Sequence, residues 1–206
     1  MLSSLLFSSL LFIGDSHSVG PFGVALNEKL RTWETSVTSY AYCGSIANDW
    51  YKANGVTKCG YLEMDAEGQS QSGTSGPVPK FKTLLEKHQP KIVVVELATN
   101  YFGYENESFI LNDMRKMGKD IIDSGAQCFW VGMPTSRKLQ SHHERVSRLT
   151  KEAIGDICTY FESFPVTSYP ATGGDGIHFY FPGGQKVAAD WAEAVFQKIK
   201  ETYQLP

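Results

Sequence analysis

Two short segments near opposite ends of the chain contain residue types that together could cleave an ester. The first, GDSHS at residues 14–18, follows an apolar run and precedes a segment with helical spacing of its apolar residues. A serine in that position can act as a nucleophile, and its own backbone N–H can face the negative charge that develops on an attacked carbonyl oxygen. Considered alone, the segment also fits a simple helix cap, because Asp and Ser are common capping residues.

The second segment, GDGIH at residues 174–178, supplies the two groups that such a serine needs. A serine hydroxyl requires a base to remove its proton, and an imidazole requires an acceptor that fixes its tautomer. Asp175 and His178 provide both within one loop, although an Asx turn with an exposed histidine would explain the same residues. We therefore predict Ser16 as nucleophile, His178 as general base and Asp175 as the group that orients the imidazole.

The elements that must bring these segments together follow from the alternation of short β-rich runs with longer helical segments. Strands are predicted over residues 6–13, 36–42, 92–97, 128–133 and 159–164, and helices over residues 22–32, 79–87, 109–123, 142–154 and 184–203. The run IVVV at residues 92–95 has no polar alternation, which is typical of a parallel strand covered on both faces. This order predicts a three-layer α/β/α sandwich around a five-stranded, doubly wound parallel sheet, with sites at the carboxyl ends of the strands.

The chain length of 206 residues suits one domain with a complete hydrophobic core. We expect residues 1–206 to form that single domain, with one polar insertion at about residues 53–79 that is rich in Gly, Ser and Gln. The amino-terminal MLSSLLFSSLLF resembles the apolar part of a secretory signal, but no Lys or Arg precedes Lys29. Because the run continues directly into residues 13–16, we interpret it as the first strand.

Composition and charge exclude several classes of partner. The chain is 42% hydrophobic and 20% charged, and its formal net charge of -3 offers no basic surface for nucleic acid or anionic lipid. No apolar run approaches the roughly 20 residues that span a bilayer, so we expect no integral membrane segment. The adjacent His142 and His143 would point about 100° apart on a helix, unlike the i, i+4 pair of a zinc site. We therefore predict no metal, no cofactor and a monomeric protein.

The four cysteines do not by themselves determine the cellular compartment of the protein. Cys43, Cys59, Cys128 and Cys158 include no C-x-x-C metal spacing. Cys128 and Cys158 stand near the starts of two predicted strands and could bond if those strands are parallel neighbours, while Cys43 and Cys59 bracket a short loop. The alternative is four reduced cysteines that serve as small hydrophobic residues. Two disulfides would indicate an exported protein, periplasmic or extracellular, and reduced cysteines a cytoplasmic one.

The segments GDSHS and DGIH together resemble the first and last sequence blocks of SGNH, or GDSL-like, hydrolases. In that family, a glycine after the second strand and an asparagine after the third donate to the oxyanion together with the serine amide. The resemblance therefore implies an oxyanion hole formed by Ser16, by Gly44, which follows YAYC, and by Asn100, which ends ELATN. The third block reads ATNY here in place of the usual G-x-N-D, so it lacks that glycine and aspartate.

The resemblance also implies a class of substrate, through one altered residue in the first block. The first block reads GDSH where many members have GDSL, and this variant resembles SGNH proteins that handle acetyl groups on polysaccharides. The resemblance implies a serine esterase that removes small acyl groups, acetyl above all, from a carbohydrate through an acyl-enzyme. His17, which adjoins the nucleophile, and the aromatic residues Tyr101 and Trp50 are candidate substrate contacts. Burial in the core would explain the aromatic residues equally well.

Three other functions stay open on the sequence. The same triad would serve a polysaccharide O-acetyltransferase, in which an alcohol outcompetes water for the acyl-enzyme. A lipase or thioesterase would need an apolar site for a long acyl chain, whereas the insertion at residues 53–79 is polar. A non-catalytic carbohydrate-binding module could retain the fold alone.

Overall fold

The computed structural model describes residues 9–33 and 36–203, and its centre is a seven-stranded sheet. The strands of the chain are β1 Ser9–Gly14, β2 Ser36–Tyr42, β3 Val56–Thr57, β4 Tyr61–Met64, β5 Ser70–Gly73, β6 Gly76–Pro77, β7 Ile92–Glu96, β8 Gln127–Val131 and β9 Thr159–Phe161. The sheet has the order β5-β4-β2-β1-β7-β8-β9, and β3 and β6 pair in a separate two-stranded ribbon. Strands β2, β1, β7, β8 and β9 are parallel, whereas β4 and β5 are antiparallel additions beyond β2.

Helices lie between the parallel strands and after the last of them. They are α1 Ser16–Val19, α2 Pro21–Trp33, α3 Phe81–His88, α4 Glu107–Asp123, α5 Gln140–Ile154 and α6 Pro182–Thr202, and short 3₁₀ turns cover Ala47–Trp50, Thr99–Gly103 and Phe164–Val166. Helix α6 begins two residues before the predicted Gly184, because Pro182 fits the first helical position, where its missing N–H costs no hydrogen bond. Within the described ranges, no helix is long and apolar enough to cross a membrane.

Successive residues of the inner strands are buried on opposite faces of the sheet. On β1, Leu11 and Ile13 pack in the layer formed by α3, α4 and α5, whereas Leu10 and Phe12 pack against α2 and α6. The four apolar residues of β7, Ile92 to Val95, are fully buried in the same alternating way. Each such side chain removed from water stabilises the fold by roughly 1.5–3 kcal/mol, which explains why both faces of these strands are apolar.

The predicted α/β sandwich is confirmed, with seven strands in the sheet rather than five. The five parallel strands are those that the sequence predicts, and their ends within the described ranges differ by at most three residues. The beginning of the predicted first strand, residues 6–8, lies outside the described residues. The extent of the domain over residues 1–206 and the monomeric state stay predictions.

The two additional strands of the sheet come from the insertion at residues 53–79, where the sequence indicates no strand. Strand β4 pairs with β2 in the register Tyr42↔Tyr61, and β5 pairs with β4 in the register Tyr61↔Gly73. The polar sequence of β5, SQSG, is largely exposed to solvent. An edge strand that faces water does not need apolar residues. Strand β5 therefore has no apolar pattern from which it could be predicted.

The four cysteines form two disulfides, so of the two alternatives the bonded one is confirmed. Cys43 and Cys59 are bonded with their Cα atoms 5.5 Å apart. Cys128 and Cys158 are bonded at a Cα separation of 4.6 Å, across the parallel neighbours β8 and β9. The two bonds thus lie in different parts of the fold: the first beside the carboxyl end of β2, the second near the amino ends of β8 and β9.

Candidate active site

Ser16 lies where the chain leaves β1 and enters α1. The Asp15 side chain caps this helix, since its Oδ1 accepts a hydrogen bond of 2.9 Å from the His17 N–H. A Cβ atom at Gly14 would lie 1.9 Å from the Ser18 Oγ, so the tight turn requires glycine there. Because Ser16 is the first residue of the helix, its backbone N–H has no intrahelical acceptor. The turn thus leaves that N–H free to meet a negative charge at the sheet edge.

His178 and Asp175 extend a chain of hydrogen bonds from the Ser16 hydroxyl. The His178 Nε2 lies 2.9 Å from the Ser16 Oγ, and the His178 Nδ1 lies 2.6 Å from the Asp175 Oδ2. A carboxylate only accepts, so Nδ1 carries the proton and Nε2 is left to accept from the serine hydroxyl. The structure therefore brings the three predicted residues together in the geometry of a nucleophile, a base and an orienting carboxylate.

The Asp175 carboxylate is stabilised in its charged form. Burial raises its pKa, but hydrogen bonds from the His178 side chain and from the His178 and Ile177 amides outweigh burial and bring the pKa below its ordinary value. The two amides donate to the Asp175 Oδ1 at 2.8 Å each. Asp175 is therefore ionised over the whole range in which enzymes work, as an orienting carboxylate must be.

Two residues outside the sequence motifs anchor the loop that contains Asp175 and His178. The Tyr169 hydroxyl accepts from the Gly176 N–H and donates to the His178 carbonyl, both at 3.0 Å. The Arg137 guanidinium donates to the Pro170 and Gly173 carbonyls and lies over the Tyr169 ring, 5.3 Å from its centre. No sequence pattern singles out Tyr169 or Arg137, because both act through contacts that only the folded loop creates.

Gly44 lies two residues beyond the end of β2, in the left-handed region with φ +77°, which favours glycine. The neighbouring Ser45 N–H donates to the Tyr42 carbonyl at 3.2 Å and closes the turn. Among the described residues, no acceptor forms a hydrogen bond with the Gly44 N–H itself. A backbone donor without an internal partner, at the carboxyl end of the strand beside β1, is suited to an oxyanion.

Asn100 lies in the 3₁₀ turn that follows β7, on the other side of β1 from Gly44. Its Nδ2 donates to the Asp15 Oδ2 at 3.0 Å and to the Ser45 carbonyl at 3.1 Å. These bonds connect the turns that contain Ser16, Gly44 and Asn100. The structure thus places all three predicted oxyanion donors at the ends of adjacent strands, and their role in catalysis stays a prediction.

The three predicted substrate contacts are buried inside the fold, and their contact with the substrate stays a prediction. Trp50 and Tyr101 are fully buried, and the Tyr101 hydroxyl accepts from the Ala47 N–H and donates to Asp113. His17 is 3% exposed and its ring packs beside those of His178, Phe179 and Trp191. Burial and the proximity of His178 lower the pKa of His17 to about 3, so it is neutral. These side chains support the site from inside the fold.

Tyr180 is the aromatic residue that does lie open beside the nucleophile. It is 54% exposed, and its hydroxyl donates to the Ser16 carbonyl at 3.3 Å. With Pro21 and Val24 it lines an open groove of about 430 Å³. The sequence offers a weak signal for it, since Tyr180 stands two residues after His178.

Within the described part of the chain, no three His, Cys, Asp or Glu side chains are grouped so that they could hold a metal ion. The expectation that the protein needs neither a metal nor a cofactor stays a prediction. What the site contains is a hydroxyl, an imidazole and a carboxylate in line, with amide donors beside the hydroxyl. This arrangement is able to transfer an acyl group.

Comparison with known proteins finds similarity in structure alone. No protein-family model matches the sequence, and no curated protein sequence matches it either. The psychrotrophic esterase EstA from Pseudoalteromonas sp., in a structure inhibited by monoethylphosphonate, matches with a TM-score of 0.61 at 12% identity, over 94% of this chain and 99% of that chain. A peptidoglycan O-acetylesterase matches with a TM-score of 0.61 at 12% identity, over 95% and 91%. A GDSL-like lipase from Bacteroides thetaiotaomicron matches with a TM-score of 0.57 at 11% identity, over 93% and 89%.

These similarities define the fold. The chain has the SGNH, or GDSL-like, hydrolase fold, as the resemblance of its first and last blocks implies. Fold alone does not determine activity, which has to be argued from the site.

Proposed function

We propose that this protein is a serine ester hydrolase that removes small acyl groups, acetyl above all, from a carbohydrate. The observation that carries the proposal is the unbroken chain of hydrogen bonds from Ser16 through His178 to Asp175 at the carboxyl edge of the sheet. Proteins whose names describe them as an esterase and as a peptidoglycan O-acetylesterase share the fold.

The reaction proceeds through an acyl-enzyme. The Ser16 Oγ bonds to the ester carbonyl carbon while its proton passes to the His178 Nε2. The carbonyl oxygen becomes an oxyanion, which the Ser16 and Gly44 amides stabilise together with the Asn100 Nδ2. Of the two Asn100 N–H groups, the one that donates to the Ser45 carbonyl turns to the oxyanion, and the other stays on Asp15. The bond to the alcohol oxygen then breaks, and His178 returns its proton to that oxygen. Water repeats both steps, so that acetate leaves and the Ser16 hydroxyl is regenerated, while Asp175 stabilises the imidazolium each time.

The acyl side of the substrate has little room beside the nucleophile. The hollow that Ser16, His178 and Tyr180 line leaves no space for even a water molecule. Pockets that bury drug-sized ligands measure about 300–1,000 Å³. The lack of space in this hollow supports acetyl over the long acyl chains of a lipase or a thioesterase.

The alcohol part of the substrate occupies the open groove that Tyr180 lines. His178 protonates the leaving oxygen, so the alcohol part must lie next to that imidazole. The Tyr180 ring lies 6.0 Å from the His178 ring and forms one wall of the groove. An exposed aromatic face beside a leaving alcohol suits a sugar ring, and this supports a carbohydrate ester.

Export is the compartment that the disulfides support. Both pairs of cysteines are bonded, and disulfides persist in the periplasm and outside the cell rather than in the cytoplasm. We propose a periplasmic or extracellular protein.

The nucleophile is tested by labelling with a fluorophosphonate, followed by mass spectrometry of the modified peptide. Wild type is expected to be labelled at Ser16, and Ser16→Ala is expected to be unlabelled and inactive while its thermal unfolding is unchanged. A folded wild type that neither reacts nor hydrolyses acetate esters would contradict the proposal and favour a non-catalytic binding module.

The acyl and alcohol sides are tested separately. Across p-nitrophenyl esters from acetate to octanoate, activity is expected to fall with chain length, and a preference for octanoate would exclude the acetylesterase. With acetylated sugars, Tyr180→Ala is expected to raise KM relative to Tyr180→Phe, whereas ethyl acetate should not distinguish the two variants. Acetylated acceptor in place of free acetate, when an unacetylated sugar is added, would instead identify an O-acetyltransferase.

A further inference from the structure

Two carboxyl groups are completely buried directly beneath the nucleophile, and the proposed mechanism uses neither. Asp15 and Glu96 are both 0% exposed. Strands β1 and β7 place Gly14 opposite Glu96, and the Asp15 N–H donates to the Glu96 carbonyl at 3.0 Å. Their carboxyl groups are close enough for each to influence the pKa of the other. Two ionised carboxylates in a water-free site repel each other, and they can share a hydrogen bond only if one of them carries a proton.

The remaining partners show which carboxyl group carries that proton. Asp15 accepts on both oxygens, from the His17 N–H and from the Asn100 Nδ2, as an ionised carboxylate does. Glu96 accepts from the Ser18 hydroxyl on its Oε2, whereas its Oε1 receives no donor among the described residues. Burial and the charge of Asp15 hold the pKa of Glu96 well above its usual range, and burial also raises the pKa of Asp15.

One group near the carboxyl pair, His178, can carry a positive charge that acts on Asp15. His178 in its cationic form lowers the pKa of Asp15, and Asp175 lies on the far side of that imidazole. His17 from α1 is neutral, and the Tyr180 hydroxyl is close enough for Asp15 to raise its pKa. No Lys or Arg in the described ranges forms an ion pair with Asp15 or Glu96. The charge of Asp15 is therefore held by neutral donors.

We propose that Glu96 is protonated and donates to Asp15, and that this carboxyl pair positions the Asn100 amide for the oxyanion. The inference rests on the proposed esterase function. Asp15 and Glu96 are positioning residues, because they act through Asn100 and the Ser16 turn rather than on the substrate. The Asp15 carboxylate keeps the Asn100 side chain beside Ser16 for as long as the pair contains one proton.

Loss of that proton breaks the arrangement. If Glu96 ionises at high pH, two carboxylates face each other in a water-free site, and they must separate or admit water. Asn100 then loses its fixed partner, so kcat falls on the alkaline side of the pH profile. This side is diagnostic, because protonation of the catalytic imidazole affects only the acid side.

Glu96→Gln separates the proposed role from a general effect of mutation. The glutamine amide has the shape of a protonated glutamic acid and donates to Asp15 at every pH. Glu96→Gln is expected to retain most of kcat and to lose the alkaline decline. Glu96→Leu has no donor, and we expect kcat to fall at least about tenfold with KM unchanged, up to the 10²–10³ typical of a lost oxyanion donor.

A second buried carboxyl group provides the matched control. Asp113 is 7% exposed and accepts from the Tyr101 hydroxyl and the Asn48 N–H, and it forms no hydrogen bond with Asp15, Glu96 or Asn100 among the described residues. Asp113→Asn is expected to keep the wild-type pH profile even where it lowers thermal stability. If Glu96→Gln loses as much kcat as Glu96→Leu, or keeps the alkaline decline, the protonated donor is refuted.

Infrared spectroscopy tests the proton without any turnover. The difference spectrum of wild type minus Glu96→Gln at pH 7 is expected to contain the carbonyl stretch of a protonated carboxylic acid. Its absence would overturn this inference while leaving the esterase proposal intact. An inactive wild type that shows the band would overturn the esterase and retain the carboxyl pair.

Discussion

The Cys43–Cys59 disulfide lies directly against the proposed oxyanion glycine, and we expect it to control turnover as well as stability. Cys43 precedes Gly44, and a Cβ atom at Gly44 would lie only 3.5 Å from the Cys59 Sγ. The Cys43 N–H donates to the Gly60 carbonyl at 2.9 Å, and the Thr57 hydroxyl donates to the Cys43 carbonyl at 2.8 Å. The bond therefore fixes the turn whose free N–H would meet the oxyanion.

The second disulfide allows the two effects to be separated. The cysteines of the pairs are 16 and 30 residues apart. From the entropy of loop closure, Cys43→Ala/Cys59→Ala should lose about 3 kcal/mol of unfolding free energy and Cys128→Ala/Cys158→Ala slightly more, about 3.5–4 kcal/mol. The stability losses are thus similar, but Cys128 lies at the amino end of β8, opposite the catalytic edge of the sheet. Only the first variant should lower kcat, by about tenfold, a fraction of the 10²–10³ expected for a donor removed outright.

The comparison requires both variants in the same assays. Thermal and denaturant unfolding measure the stability losses, and kcat and KM for an acetate ester are measured well below both melting temperatures. A phosphonate that reacts with Ser16 should inactivate the first variant more slowly than the second, since its charged oxygen occupies the oxyanion position. Equal kcat in the two variants, at comparable stability, would refute the view that the disulfide positions Gly44.

Three further predictions follow from the same structure. Asn100→Ala should reduce kcat by about 10²–10³ with little change in KM, and a loss confined to KM would assign Asn100 to substrate binding instead. Tyr169→Phe removes the donor to the His178 carbonyl and the acceptor of the Gly176 N–H; kcat should fall while fluorophosphonate still labels Ser16, and unchanged kcat would show that Arg137 alone anchors the loop. Above the ordinary pKa range of carboxyl groups, and for as long as Glu96 stays protonated, wild type retains one proton that the unfolded chain releases. Its unfolding free energy should therefore fall with rising pH relative to Glu96→Gln, by up to about 1.4 kcal/mol per pH unit, and parallel stability curves would contradict this.

The positions of the catalytic residues could be predicted because they depend on topology. Parallel strands bring their carboxyl ends to one edge of the sheet. Residues that follow the adjacent strands β1, β2 and β7 are therefore neighbours in space, however long the chain between them is. Ser16, Gly44 and Asn100 follow those three strands. The sequence therefore contains enough information to bring them together, even though the third block departs from its usual form.

The substrate contacts could not be predicted in the same way. Trp50 and Tyr101 follow Gly44 and Asn100 closely in the sequence, yet both rings turn inward and are fully buried. An aromatic residue in a loop after a strand can pack below the site or line its rim, and the choice depends on the space left by other elements. Tyr180 is exposed because it adjoins the catalytic loop at the start of α6, a location that only the packed structure reveals.

Glu96 shows why the role of a buried polar group cannot be predicted from the sequence alone. It ends the apolar strand IVVVE, where a charged residue is most simply interpreted as the first one to reach solvent. Its actual environment is set by partners far away in the sequence, since the Ser18 hydroxyl that donates to it is 78 positions distant. The register of β1 against β7 places its side chain beside Asp15, which is itself held inside by the cap of α1. An ionised glutamate could not remain there at 0% exposure beside a second carboxylate. The burial of Glu96 therefore requires a proton, and the position of that proton connects the packing of the sheet to the chemistry of the site.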